Sequence, residues 1–126
     1  MIILHFERIK LQQIQISGKE ITTYADFLAT RVGLASAQPI ITTPRVTIID
    51  RKTDRKILNF DTVVSELKRL HPNLEVQTAY LEELSMKEQI DVLRKTTLLI
   101  GMHGSGIGNI IFLPKDAAVI EVGFTL

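Results

Sequence analysis

The sequence predicts an α/β fold, a Rossmann-like parallel sheet with flanking helices, on three observations. From Arg45 onward, short β-branched or apolar runs alternate with stretches whose apolar residues recur at helical spacing. That β-α-β-α-β-α-β order calls for parallel strands joined by right-handed crossovers. The apolar run Leu98-Leu99-Ile100 leads straight into His103-Gly104-Ser105-Gly106-Ile107-Gly108-Asn109, the pattern of a buried strand feeding a glycine-rich turn and a helix. Finally, 126 residues with 45% hydrophobic and 23% charged side chains suffice for one ordinary core.

The elements follow in order. Residues 1–16 show partial alternation through Ile9, Leu11, Ile14 and Ile16, which predicts one or two strands. Ser17-Gly18-Lys19 reads as a turn, after which Thr22 or Thr23 caps a helix with Tyr24, Phe27, Leu28 and Val32 inward and Gly33 as its stop. Residues 34–44 hold two prolines and little periodicity, an exposed connection. Val46-Thr47-Ile48-Ile49 is a strand and 50–56 a charged turn. Asn59 or Asp61 then caps a helix with Val63, Val64, Leu67 and Leu70 inward, ending at His71-Pro72. Residues 74–80 form a strand, and Ser85 with Glu88 has capping-box spacing for a helix burying Ile90, Leu93 and Met86. The central strand, the glycine turn, a short helix through Phe112, a stop at Pro114 and a last strand over 117–122 complete the order. A parallel sheet wants both faces covered, so a final strand without its helix suggests a piece of a longer fold.

Two stretches carry chemistry. Three glycines in the five residues 104–108 let a ligand approach the backbone, and N–H groups at a helix start favour an anion. Placed at the carboxyl end of a parallel strand, the turn predicts a phosphate or diphosphate seat, with His103 adding a donor. The competing reading is a tight turn whose glycines serve packing alone. The four cations of Arg51-Lys52-Thr53-Asp54-Arg55-Lys56 lie on a βα-turn at the same sheet edge and would answer an anionic ligand; the alternative is a solvated charged loop.

Other chemistries fit poorly. Asn109 stands where a dinucleotide fingerprint needs its third glycine, and no GK[ST] ending makes a Walker loop. The chain lacks a GxSxG elbow, which argues against serine hydrolysis. With no cysteine, disulfides and cysteine–zinc sites drop out. No DxD pair is present, and His5 and His71 stand apart, so no metal is expected. A net charge of +1 gives no global field for nucleic acid. No apolar run nears the roughly 18–20 residues of a membrane span, and the opening run is too short for a signal peptide.

An ordered series of residues resembles family 61 glycosyltransferases. It comprises Arg51, 55–59 (RKILN), Ser85 with Glu88-Gln89, 99–106 (LIGMHGSG), Asn109, Phe112-Leu113-Pro114 and Val119-Ile120-Glu121. The resemblance covers residues 22–126, most strongly 45–122. It implies the carboxyl-terminal half of a two-lobed GT-B enzyme that is inverting and metal-independent. Such an enzyme moves a pentose or N-acetylhexosamine from a UDP-sugar, as co-substrate, to a glycan or glycoprotein acceptor in the endoplasmic reticulum or Golgi lumen. By matched position Arg51, Arg55, His103, Gly104, Ser105, Gly106 and Asn109 would hold the donor diphosphate. Asn59 and Gln89 match positions of structural character, and Glu121 either reaches a ribose or braces a loop. Asp50, Ser105 and Gly108 depart from the residues usual in the family. On the same resemblance, 1–44 is an inter-lobe segment or amino-terminal remnant and 45–126 the nucleotide-sugar-binding domain. The acceptor lobe and catalytic base would then lie outside this chain. The alternative is a non-catalytic remnant that keeps the fold and binds nucleotide or a partner.

Overall fold

The computed structural model describes residues 17–123, so the strand reading for 1–16 lies outside the described residues. Four strands, β1 (Arg45–Ile49), β2 (Glu75–Ala79), β3 (Leu98–Met102) and β4 (Ala118–Val122), form one parallel sheet in the order β2-β1-β3-β4. The helices are α1 (Gly18–Arg31), α2 (Phe60–Leu70) and α3 (Met86–Arg94), with a single 3-10 turn at Leu81–Glu83 and a 3-10 helix at Ser105–Phe112. The chain steps from β1 outward to β2, then returns past β1 to β3. With right-handed crossovers, that reversal puts α2 and α3 on opposite faces.

On one face Ile49, Ala79 and Leu99 pack with Leu81, Ile90, Leu93, Ile107 and Phe112, and α1 adds Ala25 and Ala29 to the same cluster. Residues of α1 and the connection after it therefore share the core of the sheet. Toward the amino ends of the strands on this same face, Gln77 donates to Thr47 at 2.7 Å, Thr47 and Thr96 share a hydroxyl contact of 2.6 Å, and Thr96 donates to the Val92 carbonyl. Their polar atoms are thus satisfied inside the core.

Several expectations change. The first helix starts at Gly18, because Ser17 and Glu20 close a capping box and turn the expected Ser17-Gly18-Lys19 bend into the first helical turn. Thr22 and Thr23 are not caps; their hydroxyls donate to the carbonyls of Gly18 and Lys19 within the helix. Tyr24 and Phe27 are each 56% exposed. Leu28 and Val32 do pack against the core as expected, while the small Ala25 and Ala29 take the inward places of Tyr24 and Phe27 and allow α1 to approach the 3-10 helix closely. Gly33 does end the helix, with φ +82°.

The 34–44 connection is only partly exposed. Leu34 packs on the core, and the buried Arg94 donates to the carbonyls of Ala35, Ser36 and Ala37 and to Gln38 Oε1. On α2, Val63, Val64 and Leu67 are half-buried, but Leu70 turns out to solvent one helical turn past the sheet contact. Met86 is also exposed, whereas Ile90 and Leu93 are buried as the spacing predicts. The helix after the glycine turn is 3-10 in form, and the second and last strands are shorter than the apolar runs suggest.

Candidate functional site

The strand order fixes where a ligand can sit. β1 has β2 on one side and β3 on the other, so the connections leaving β1 and β3 diverge and open a crevice at their carboxyl ends, the usual ligand position in open α/β sheets. A cleft of about 550 Å³ lies there, lined by Arg51, Gln89, His103, Gly104, Ile107 and Asn109 among others. Parallel pairing of Ile49 with Gly101 brings the two loops side by side.

On the β1 side, Asp50 is buried and accepts the Ile57 N–H at 2.9 Å, closing the 50–57 loop on itself. That bond orients the loop so that Arg51 faces the glycine turn. A Cβ placed on Gly104 would lie 3.9 Å from Arg51 Nη1. Arg51 makes no hydrogen bond or ion pair among the described residues, and its charge adds only a lesser share to the lowering of the Glu82 pKa, behind backbone hydrogen bonding. Its guanidinium fork is therefore available to an anion.

On the β3 side, Gly104 has φ +146° and ψ −164°, a conformation that glycine alone adopts without strain. Gly101 sits close for a different reason, since a Cβ there would stand 3.1 Å from Ile107 Cδ1 and push that side-chain tip aside. The Ile107 N–H turns back to the Gly104 carbonyl at 3.1 Å, so the 3-10 helix opens directly onto the glycine turn. His103 is pinned by its own N–H to the Val122 carbonyl, and its Nδ1 lies 2.6 Å from Glu121 Oε1.

The remaining candidates separate clearly. Gln89 donates to the carbonyls of Leu81 and Leu84 and accepts from Asn109 at 3.4 Å, tying the cleft wall together. Glu121 touches His103 and does not line the cleft. Arg55 stands outside the lining, in a left-handed conformation with φ +61°. Asn59 is the N-cap residue of α2 without a side-chain capping bond, also outside it.

The cationic loop is less free than its sequence suggests. Lys52 pairs with Glu83, which raises its pKa, and its ammonium lies 5.0 Å from the Tyr80 ring centroid. The Lys52 N–H donates to Glu82 and holds that carboxyl below the usual range, aided by the residue's own backbone N–H. The Glu82-Glu83 pair thus organises this loop from across the cleft. Asp50, Glu82 and Gly101 are the site residues that sequence reasoning misses as such. The usable signal for Asp50 is a carboxylate directly after an apolar strand. Among the described residues, no three His, Asp or Glu side chains converge as metal ligands.

Residues 4–120 match the profile of Glycosyltransferase 61. The chain is 43% identical over 81 residues to the EGF domain-specific O-linked N-acetylglucosamine transferase of Canis lupus familiaris, which covers 62% of this chain and 15% of that protein. Its counterpart in Pan troglodytes is 36% identical over 102 residues, 79% of this chain and 19% of the relative. The protein O-linked-mannose beta-1,4-N-acetylglucosaminyltransferase 2 of Danio rerio is 31% identical over 109 residues, 86% of this chain and 19% of the relative. The chain thus spans under a fifth of the length of these relatives. Because the match extends over nearly the whole chain, it belongs to glycosyltransferase family 61.

Proposed function

We propose that this chain is the donor-binding part of a glycosyltransferase, and that the cleft between β1 and β3 receives the diphosphate of a UDP-sugar. The observation that carries the reading is Arg51, unpaired among the described residues, set beside Gly104 and its glycine-only backbone conformation at the topological switch point. An anion there would meet a guanidinium fork, the His103 ring and the amino-terminal end of the 3-10 helix. The relatives' names give N-acetylglucosamine as the transferred sugar, so a UDP-N-acetylhexosamine is the first donor to test.

In the reaction the anomeric carbon–oxygen bond breaks and its electron pair stays on UDP. The acceptor oxygen bonds the anomeric carbon from the opposite face, and its proton passes to a general base. The residues described above would stabilise charge as it grows on the departing diphosphate. They do so without a metal, in a GT-B enzyme of the endoplasmic reticulum or Golgi lumen. Among the described residues, no helix is long and apolar enough to cross a membrane.

The test is protection from heat. UDP at tenfold its Kd adds about 1.4 kcal/mol to stability, a rise in Tm of roughly 5 °C for a domain of this size. Arg51→Ala should lose most of that rise, while Arg69→Ala, on the far helix α2, should keep it. No shift with millimolar UDP overturns the reading.

A further inference from the structure

His103, directly after β3, and Glu121 on β4 form a diagonal pair. In the register, Glu121 lies opposite Gly101, two residues before His103 on the same face, and Gly101 has no side chain to compete for the carboxylate. The contact of 2.6 Å to Nδ1 has a chemical consequence. A carboxylate only accepts, so the ring proton shared with Glu121 belongs to Nδ1. Because His103 also lines the cleft, Nε2 is the nitrogen left for a ligand there; it carries a lone pair if the ring is neutral and an N–H if it is charged. The oxygens of a diphosphate also only accept, and they gain nothing from a lone pair. The other charged groups at the cleft are Arg51, Lys52 and Asp50 on the loop after β1 and Glu82 across from them.

We propose that Glu121 is a positioning residue that keeps the His103 proton on Nδ1, so that the ring serves a bound diphosphate only after Nε2 is protonated as well. Donor binding is therefore proton-linked, tightening as pH falls, by up to about one decade in Kd per pH unit for a single proton. The proposal rests on the donor reading above and adds to it a defined ring state and a pH dependence.

The probe is UDP-N-acetylglucosamine, whose diphosphate has no titrating proton between mildly acid and alkaline pH. Kd is measured by calorimetry from pH 6 to 8.5 in two buffers of different ionisation enthalpy. Ring tautomers are read from 15N shifts of the unliganded chain. The expected wild-type result is a Kd that rises with pH, proton uptake on binding and a neutral ring protonated on Nδ1. His103→Asn should weaken binding at pH 6 roughly tenfold and flatten the profile. Glu121→Ala should move the ring proton toward Nε2 and weaken binding at pH 6; Glu121→Gln serves the same purpose if the alanine variant is unstable.

A wild-type ring protonated on Nε2 overturns the positioning role. A pH profile unchanged by His103→Asn overturns the proton linkage. If the donor fails to bind although the ring proton sits on Nδ1, the donor reading falls and takes the linkage with it.

Discussion

Gly104 shows how one residue can be obligatory among neighbours that look alike. Residues 104, 106 and 108 are all glycine, yet a Cβ on Gly108 meets nothing within 4 Å, while one on Gly104 would be strained and directed toward Arg51. Gly104→Ala should therefore cost about 1–3 kcal/mol and remove the protection given by UDP. Gly108→Ala should be neutral or slightly stabilising. Paired thermal melts with and without UDP check both, and equal effects of the two substitutions would refute the assignment. The sequence marks the turn as glycine-rich but does not say which glycine is indispensable, because that depends on a backbone angle set by the strand on one side and the helix on the other. The fate of Lys52 was hidden for a similar reason. Its partner Glu83 lies after a different strand.

At the level of elements, two helices begin with the same device. Ser85 accepts the Glu88 N–H while Glu88 accepts from the Ser85 N–H, and Ser17 with Glu20 repeats it. The second box is plain from its spacing ahead of an apolar run. The first is obscured by Gly18, which makes Ser17-Gly18-Lys19 look like a bend, although Ser17 and Glu20 have the same three-residue spacing. Ser85→Ala should lower stability by about 1 kcal/mol, visible as a lower Tm. Acid should act on the same features. The Ser85 hydroxyl and N–H hold the Glu88 carboxyl below its usual range, and Ser17 does likewise for Glu20, its N–H first. A carboxyl with a depressed folded pKa contributes stability above the ordinary glutamate range, and that contribution is lost as pH falls through the depressed value. Melts from pH 7 down to 3 should show Tm falling in that acid window, with Glu88→Gln starting lower and falling less.

Over the whole molecule, alternation of strands and helices made the parallel sheet legible, and placed the cationic loop and the glycine turn at one edge. It did not give the strand order. Adjacency of β1 and β3, which turns two loops into one cleft, depends on pairings between residues some fifty apart, such as Ile48 with Ile100. Nor did it reveal that residues 17–44 share the core, since that rests on Ala25, Ala29 and the grip of Arg94 on Ala35, Ser36, Ala37 and Gln38. Arg94 is 4% exposed, and replacing it removes a buried side chain together with the donors that hold the carbonyls of Ala35, Ser36 and Ala37. Arg94→Ala should destabilise the chain by about 2–4 kcal/mol in urea titrations; a loss within ordinary surface values would show that the connection does not need it. The sheet order has a consequence for the timing of events at the site. Arg51 and Gly104 follow the two inner strands, whose amides bond on both sides, whereas Glu121 rides on β4, an outer strand of the described sheet. Outer strands open locally at lower free energy than inner ones. Brief fraying of β4 would free the His103 ring to turn while the guanidinium and the glycine turn stay in place, so the cleft keeps its shape through fluctuations that momentarily erase its preferred proton.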